Sequence, residues 1–324
     1  MHKHISLIST LLFFLMLLTA CSQKDIVYDN GIPREISVRF MWDNAPAADV
    51  DGMTLYFFPV SEGTRLWRFN ISGRDGGKIE IPDGTYSMIA VNNDLPGVRF
   101  SSPECYNTFL ASARITAENG DIAPTGMLYG AAIDRVTVTP CGVSYITPQG
   151  TVKDCSHSLV RCYPDSLSTQ YSVVLQDVEN SEKVRSVKAR LSGVATSLLI
   201  ASAQSSGSPG ASQFTLNRSD NSTDTFTGKT TAFGTPPGEP SFLLYVNATM
   251  HDGKVYTKSF DVTSQVINSP WKRNVLIILE GVSFPEGEPP DNPDDPDVGI
   301  DVGIDGWELI EIDYDTSNPG SYGQ

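Results

Sequence analysis

This chain of 324 residues is poor in the side chains that most enzyme chemistry uses. It holds four histidines, two of them among the first four residues, which leaves His157 and His251. His251 falls in the turn His251-Asp252-Gly253 between two apolar runs, the place of a solvated loop side chain. Cys155-Ser156-His157 with Cys141 and Cys162 has none of the common zinc spacings. There is no Gly-x-Ser-x-Gly elbow and no phosphate loop. The acidic run DNPDDPDVGID lacks both the D-x-[DN]-x-[DN]-G spacing and the distal glutamate of a calcium loop. The sequence therefore offers no catalytic residue, no metal ligand and no cofactor site, and we read it as a non-enzyme. A hydrolase built on a carboxylate pair leaves no motif, so it stands as a third reading.

Basic charge is scarce as well. The formal net charge is −15, from 38 acidic and 23 basic residues. Glu286–Gln324 carries 12 of the acids and no base, so the acidity belongs to the tail. The rest of the mature chain, with 26 acids against 22 bases, is only about −4. No stretch forms the basic footprint of a nucleic-acid partner. The four tryptophans, Trp42, Trp67, Trp271 and Trp307, are spread too widely to predict one sugar-stacking platform.

Long hydrophobic runs are missing except at the start. After His2, Lys3 and His4, the apolar run from Ile5 to Leu18 is too short and wrongly flanked for a membrane span. It closes on Leu18-Thr19-Ala20-Cys21, which resembles a bacterial lipobox with Cys21 as the lipidated residue. Residues 1–20 read as a signal peptide and 21–33 as a leader. Several acyl chains on one residue hold a protein on a membrane where one would not. Ser22 replaces the aspartate that signals inner-membrane retention in many bacteria, and Ser22-Gln23-Lys24-Asp25 resembles the short polar-acidic tags that send some lipoproteins to the cell surface, so an outer-membrane lipoprotein exposed there is expected. The other cysteines, Cys105, Cys141, Cys155 and Cys162, allow two disulfides in three pairings, or four free thiols.

What the chain does have is short alternating strands. Ile36, Val38, Phe40 and Trp42 alternate with Ser37, Arg39 and Met41, a first strand with one face inward. MTLYFFPV (Met53–Val60) reads as a buried strand, with LWRFNI (Leu66–Ile71) as its hairpin partner. Pro82-Asp83-Gly84 predicts a hairpin turn that Ile79 and Ile81 enter and Tyr86, Met88 and Ala90 leave, with Gly84 at φ > 0. Thr108 to Ile115 predicts a short helix. Strands follow at Met127–Ala132, Asp134–Pro140 and within Val152–Tyr163. A second set comprises Tyr171–Val178, VRSVKARLSG, VATSLLIASA, a hairpin of Ser241–Met250 with Lys254–Val262, and Arg273–Phe284. Ser202 to Thr223 reads as a Ser/Gly/Asn/Thr-rich loop. Many strands, frequent turns and almost no amphipathic helix predict an all-β fold of two tandem β-sandwiches, over residues 34–165 and 166–285.

The lipobox, the first strand, MTLYFFPV, GRDGGKIEIPDGTYSMIAVNND and LSGVATSLLIAS together resemble lipoproteins of the fimbrillin superfamily of Bacteroidales. Among these the match is to the anchor or minor subunits of type V pili. The resemblance implies transthyretin-like sandwiches, no catalysis, and assembly with pilin-like subunits by β-strand addition. In pilin members an arginine-directed protease removes the first strand and a neighbour's C-terminal strand fills the groove. Arg34 precedes the first strand, so a cut there would leave Ile36–Trp42 in place. An anchor or accessory subunit whose own groove stays occupied is therefore expected.

The final residues, 286–324, read as a Pro/Asp spacer followed by a candidate donor strand. Val298, Ile300, Val302 and Ile304, then Ile310, Ile312 and Tyr314, alternate at period two. Extended by the spacer, such a strand suits insertion at a partner's open edge. Folding back on its own domain and a disordered tail are the alternatives. For the whole chain, the second function is a surface lipoprotein that binds glycan or host ligand for nutrient capture.

Overall fold

A computed structural model describes residues 32–61, 65–116, 120–147 and 150–285, and the backbone of 308–310. The fold is all-β, as the sequence predicts. Strand β1 (Pro33–Phe40) buries Ile36, Val38 and Phe40 and turns the alternate residues outward. β2 (Gly52–Pro59) is buried on both faces, which is why it reads as a continuous apolar run. Met53, Leu55 and Phe57 enter one core, and Tyr56 and Phe58 enter a second. β3 (Trp67–Ser72) pairs with β2, as expected.

β4 (Gly76–Pro82) and β5 (Gly84–Asn92) correct the sequence reading. They are not a hairpin: β4 pairs with β1, whereas β5 pairs with β2 and with β8 (Tyr129–Thr139). Pro82-Asp83-Gly84 is a corner that carries the chain from one sheet to another. Gly84 is not in the left-handed region. Its role is room, since a Cβ there would lie 3.0 Å from the Tyr86 hydroxyl. Tyr86 is buried, as expected. Like β2, β5 serves two cores, with Tyr86, Met88 and Ala90 in the first and Ile89 and Val91 in the second.

Between β5 and β8 the expected helix at Thr108–Ile115 is replaced by strand. One 3-10 turn, Tyr106–Thr108, precedes it. β6 (Val98–Ser101) and β7 (Leu110–Ala113) pair with each other, and β7 adds to the later strand Val184–Leu199. Phe109 is wholly buried in the second core. Tertiary pairing thus overrides a weak local helical preference. It also moves part of the segment assigned to the first sandwich, 34–165, into the second core. β9 (Gly142–Thr147), β10 (Gly150–Asp154), β11 (Leu159–Cys162) and β12 (Asp165–Ser166) complete the first half. Its sheets run β11-β1-β4 and β10-β9-β8-β5-β2-β3, with β12 on β8.

The second half begins with β13 (Thr169–Gln176) and β14 (Val184–Leu199). β14 joins the two runs read separately in the sequence, with a register shift at Gly193. Gly193 has φ +83°, and a Cβ there would stand 2.1 Å from the Ser241 carbonyl oxygen. β15 (Gln204–Arg218) replaces the expected polar loop and pairs along β14. β16 (Phe226–Ala232), β17 (Leu243–Met250), β18 (Val255–Asp261), helix α1 (Thr263–Ile267), β19 (Asn274–Glu280) and β20 (Glu308–Ile310) follow. β17 and β18 form the predicted hairpin around His251-Asp252-Gly253. The sheet order is β19-β13-β16-β15-β14-β17-β18-β20, with β7 and β6 attached to β14.

Candidate functional site at the sheet edges

β1 is held from both sides. It runs antiparallel to β4 over Pro33–Arg39 and parallel to β11 over Ser37–Phe40. Close approach to β4 depends on Gly76, where a Cβ would sit 2.0 Å from the Val38 carbonyl oxygen. Ile36, Val38 and Phe40 fill the first core beside Ile79, Ile81 and Val160. β1 thus lies between β11 and β4, paired with both.

Arg34 is placed differently from the expectation. It does not precede the strand but lies inside it, opposite Ile81. Its Nε donates to Asp83 Oδ1 at 2.8 Å and its Nη2 to Asp83 Oδ2 at 3.2 Å. This two-point contact ties the start of β1 to the corner after β4. The pairing of residues 49 positions apart has no signature in the sequence.

The tail meets the body at the opposite half. Glu308–Ile310 adds antiparallel to β18, with Ile310 opposite Val255 and Glu308 opposite Thr257. Of the donor-strand candidates, Ile310 lies among the described residues, and there it pairs with this chain's own β18, the fold-back arrangement. Val298, Ile300, Val302, Ile304, Ile312 and Tyr314 lie outside the described residues, as does Cys21. The other edge of this sheet, β19, carries a plug that the sequence reading missed. The Gln265 side chain donates through Nε2 to the Ile278 carbonyl at 3.0 Å and accepts from the Ile278 N–H through Oε1 at 2.8 Å. The carboxamide takes the place of a neighbouring strand, which blunts the edge.

The remaining sequence candidates do not converge. Cys105, Cys141 and Cys155 are exposed free thiols, and Cys162 is a buried one. Burial pushes the Cys162 thiol up to about 12. His157 lies in a loop whose backbone N–H groups at Ser156 and His157 bind Asp154 Oδ1, and these bonds hold the Asp154 carboxyl below its usual range. No group of three or more metal-ligating side chains occurs among the described residues.

Residues 20–214 match a protein-family model described as "Domain of unknown function (DUF5119)". The chain belongs to this family. A 101-residue stretch of this DUF5119 protein is 30% identical to a candidate fimbrium anchoring subunit, Fim4B, of Bacteroides ovatus. That stretch covers 31% of this chain and 30% of the relative, so it spans less than a third of that protein. The crystal structure of a candidate adhesin from Bacteroides ovatus superposes with a TM-score of 0.62 at 20% identity, covering 84% of this chain and 99% of the adhesin. A second candidate adhesin of Bacteroides ovatus gives 0.51 at 9% identity, over 79% of this chain and 90% of its own. At these identities the two structures establish the shared fold.

Proposed function

We propose that this DUF5119 protein is a lipid-anchored subunit at the cell surface that anchors, or is accessory to, a fimbria with a role in adhesion. The name of the Fim4B relative, a candidate fimbrium anchoring subunit, supports both the fimbrial setting and anchoring. Cys21 takes the lipid and ties the body to the outer membrane. The body keeps its own β1 and offers its C-terminal tail to a pilin-like neighbour by strand addition. The observation that carries this reading is the β18–β20 pairing. Three residues of the tail already form an edge strand, whereas β17 and β18 are paired over seven. A strand held by so few bonds is exchangeable at small cost. No catalytic step is assigned.

The membrane part is tested by Cys21→Ser. No helix among the described residues is long and apolar enough to span a bilayer. The variant is expected in the soluble fraction after a salt wash. Retention in the membrane fraction after that wash would remove lipidation from the account.

A further inference from the structure

The chain enters the described body at one pole and leaves it at the other. β1 begins at Pro33, opposite Pro82, beside the corner residue Gly84, which pairs with Val138. Val138 is at the end of β8 remote from Tyr129. Just past the other end of β1, Trp42 packs edge-on against Tyr129 with ring centroids 5.8 Å apart. The next residue, Leu128, is wholly buried in the second core. β1 therefore runs from the outer pole of the first half toward the second. β12, antiparallel to the start of β8, points the chain the same way and leads into β13. β19 starts at this junction, where Arg273 Nη1 donates to the Leu167 carbonyl at 3.0 Å and the Leu167 N–H to the Leu128 carbonyl at 2.7 Å. It then runs parallel to β13 to Glu280, away from the first half.

Each terminal strand is held along its length. β4 pairs β1 over Pro33–Arg39 and β11 pairs it over Ser37–Phe40, while Ile36, Val38 and Phe40 are set in the first core. β13 pairs β19 over Asn274–Glu280, and Gln265 holds the opposite edge at Ile278. Beyond β19 the chain is latched again. The Gly281 N–H donates to the Gln176 carbonyl at 3.1 Å, the Phe284 N–H to the Glu179 carbonyl at 3.1 Å, and Asn180 Nδ2 to the Phe284 carbonyl at 2.8 Å. The junction between the halves is bonded too. β7 adds to β14, and both Asp121 carboxylate oxygens accept from Arg190 at 2.8 to 3.0 Å. The Ile122 N–H donates to the Ala211 carbonyl at 2.8 Å, and the Thr125 N–H to the Thr231 carbonyl at 3.1 Å.

We propose that the body is a tension link, which carries a pulling force from its N-terminal attachment to its C-terminal tail without unfolding. A force that separates the two poles acts along β1 and along β19. A strand pulled along its own axis must break its cross-strand bonds together and drag its buried side chains through the core. A strand pulled sideways loses the same bonds one pair at a time, at a much lower force. Both terminal strands lie in the first geometry. β20, paired with β18 over only Glu308–Ile310, yields early and passes the force to Phe284 and β19. The source of the force rests on the anchoring function proposed above, whereas the resistance is a property of this fold alone.

The test is single-molecule pulling on the full mature chain, made free of lipid by Cys21→Ser, in two geometries. One handle is at the N-terminus in both. The second is at the C-terminus in one arm and at Glu80 in the other, attached through an azide-bearing residue so that the cysteines stay untouched. Glu80 is exposed on β4 and pairs with Glu35, so this arm peels β1 from its outer end. The core is unaltered in both arms, so a failure to fold does not confuse the comparison. At one pulling rate the body is expected to rupture end to end at a force at least about twofold higher than in the Glu80 arm. Equal or lower force end to end, or separation of the two halves below the force of the Glu80 arm, would overturn the proposal. Failure of the anchoring function would show instead as fimbriae retained on cells whose chain lacks the tail, and would leave these forces unchanged.

Discussion

The hydroxyl of Tyr86 donates to the carbonyl of Pro82 across 2.8 Å, inside the corner that takes the chain from β4 to β5. Both residues are buried, so the bond satisfies a carbonyl that water does not reach. Tyr86→Phe keeps the ring and removes the donor. It is expected to lower stability by about 1–3 kcal/mol in urea unfolding. A loss below about 0.5 kcal/mol would mean that the carbonyl is satisfied otherwise.

Gly84→Val is expected to destabilise by a similar amount, about 1–3 kcal/mol, through collision with the Tyr86 ring, whose atoms would stand 3.0 to 3.2 Å from a Cβ. The cause is distinguishable from backbone strain. In a Tyr86→Leu background most of the added cost should vanish, whereas strain would persist and the two changes would add.

Arg34 is protected by its place in β1 and by Asp83. An arginine-specific protease should cut this site slowly in the folded protein. Asp83→Ala loosens the strand end and should raise the cleavage rate severalfold, read by mass spectrometry of the released fragment. Equal rates in both proteins would show that the ion pair does not hold the strand.

How much of this was legible in the sequence depends on what each strand packs against. β1 and β2 announce themselves, because burial on one face gives alternation and burial on two gives a continuous apolar run. β15 was hidden. QSSGSPGASQFTLNR pairs through its main chain, and Pro209 is tolerated because β15 has little pairing on its far side. The Pro82 corner was misread because the residues that favour a hairpin also favour a passage between sheets, and only the pairing partners distinguish them. Of the candidate site, the tail's alternation was visible in Ile310. The Arg34–Asp83 contact and the Gln265 plug join residues with no periodic relation, so no local signal marks them.

Tyr171 is wholly buried, and its hydroxyl is without a hydrogen-bond partner among the described residues. Burial raises its pKa well above the usual phenol range. Tyr171→Phe removes an uncompensated polar group. It should leave stability unchanged or raise it by up to about 2 kcal/mol. A loss of more than about 1 kcal/mol would reveal an unseen partner for that hydroxyl.

Among Cys105, Cys141, Cys155 and Cys162, a maleimide or iodoacetamide at neutral pH should label the first three in the folded protein and the fourth only after unfolding. The folded Cys162 thiol binds its proton more tightly than an unfolded one, for which the ordinary value is 9.0. Its contribution to stability is therefore complete below pH 9 and is lost as pH rises toward about 12. Rapid labelling of Cys162 in the native state would contradict its burial.

The central claim is that the tail serves a partner more than its own domain. The most direct measurement compares cells producing the full chain with cells whose chain ends at Phe284, scoring fimbrial protein on the cells against that shed into the medium. The melting temperature of each purified chain is read alongside. Because Glu308–Ile310 contributes only a three-residue edge strand, the account predicts a melting temperature within about 2 °C of the parent, with fimbriae shed severalfold more. Full retention of fimbriae on the truncated cells, or a fall in melting temperature of more than about 6 °C, would contradict it and assign the strand to this protein's own core.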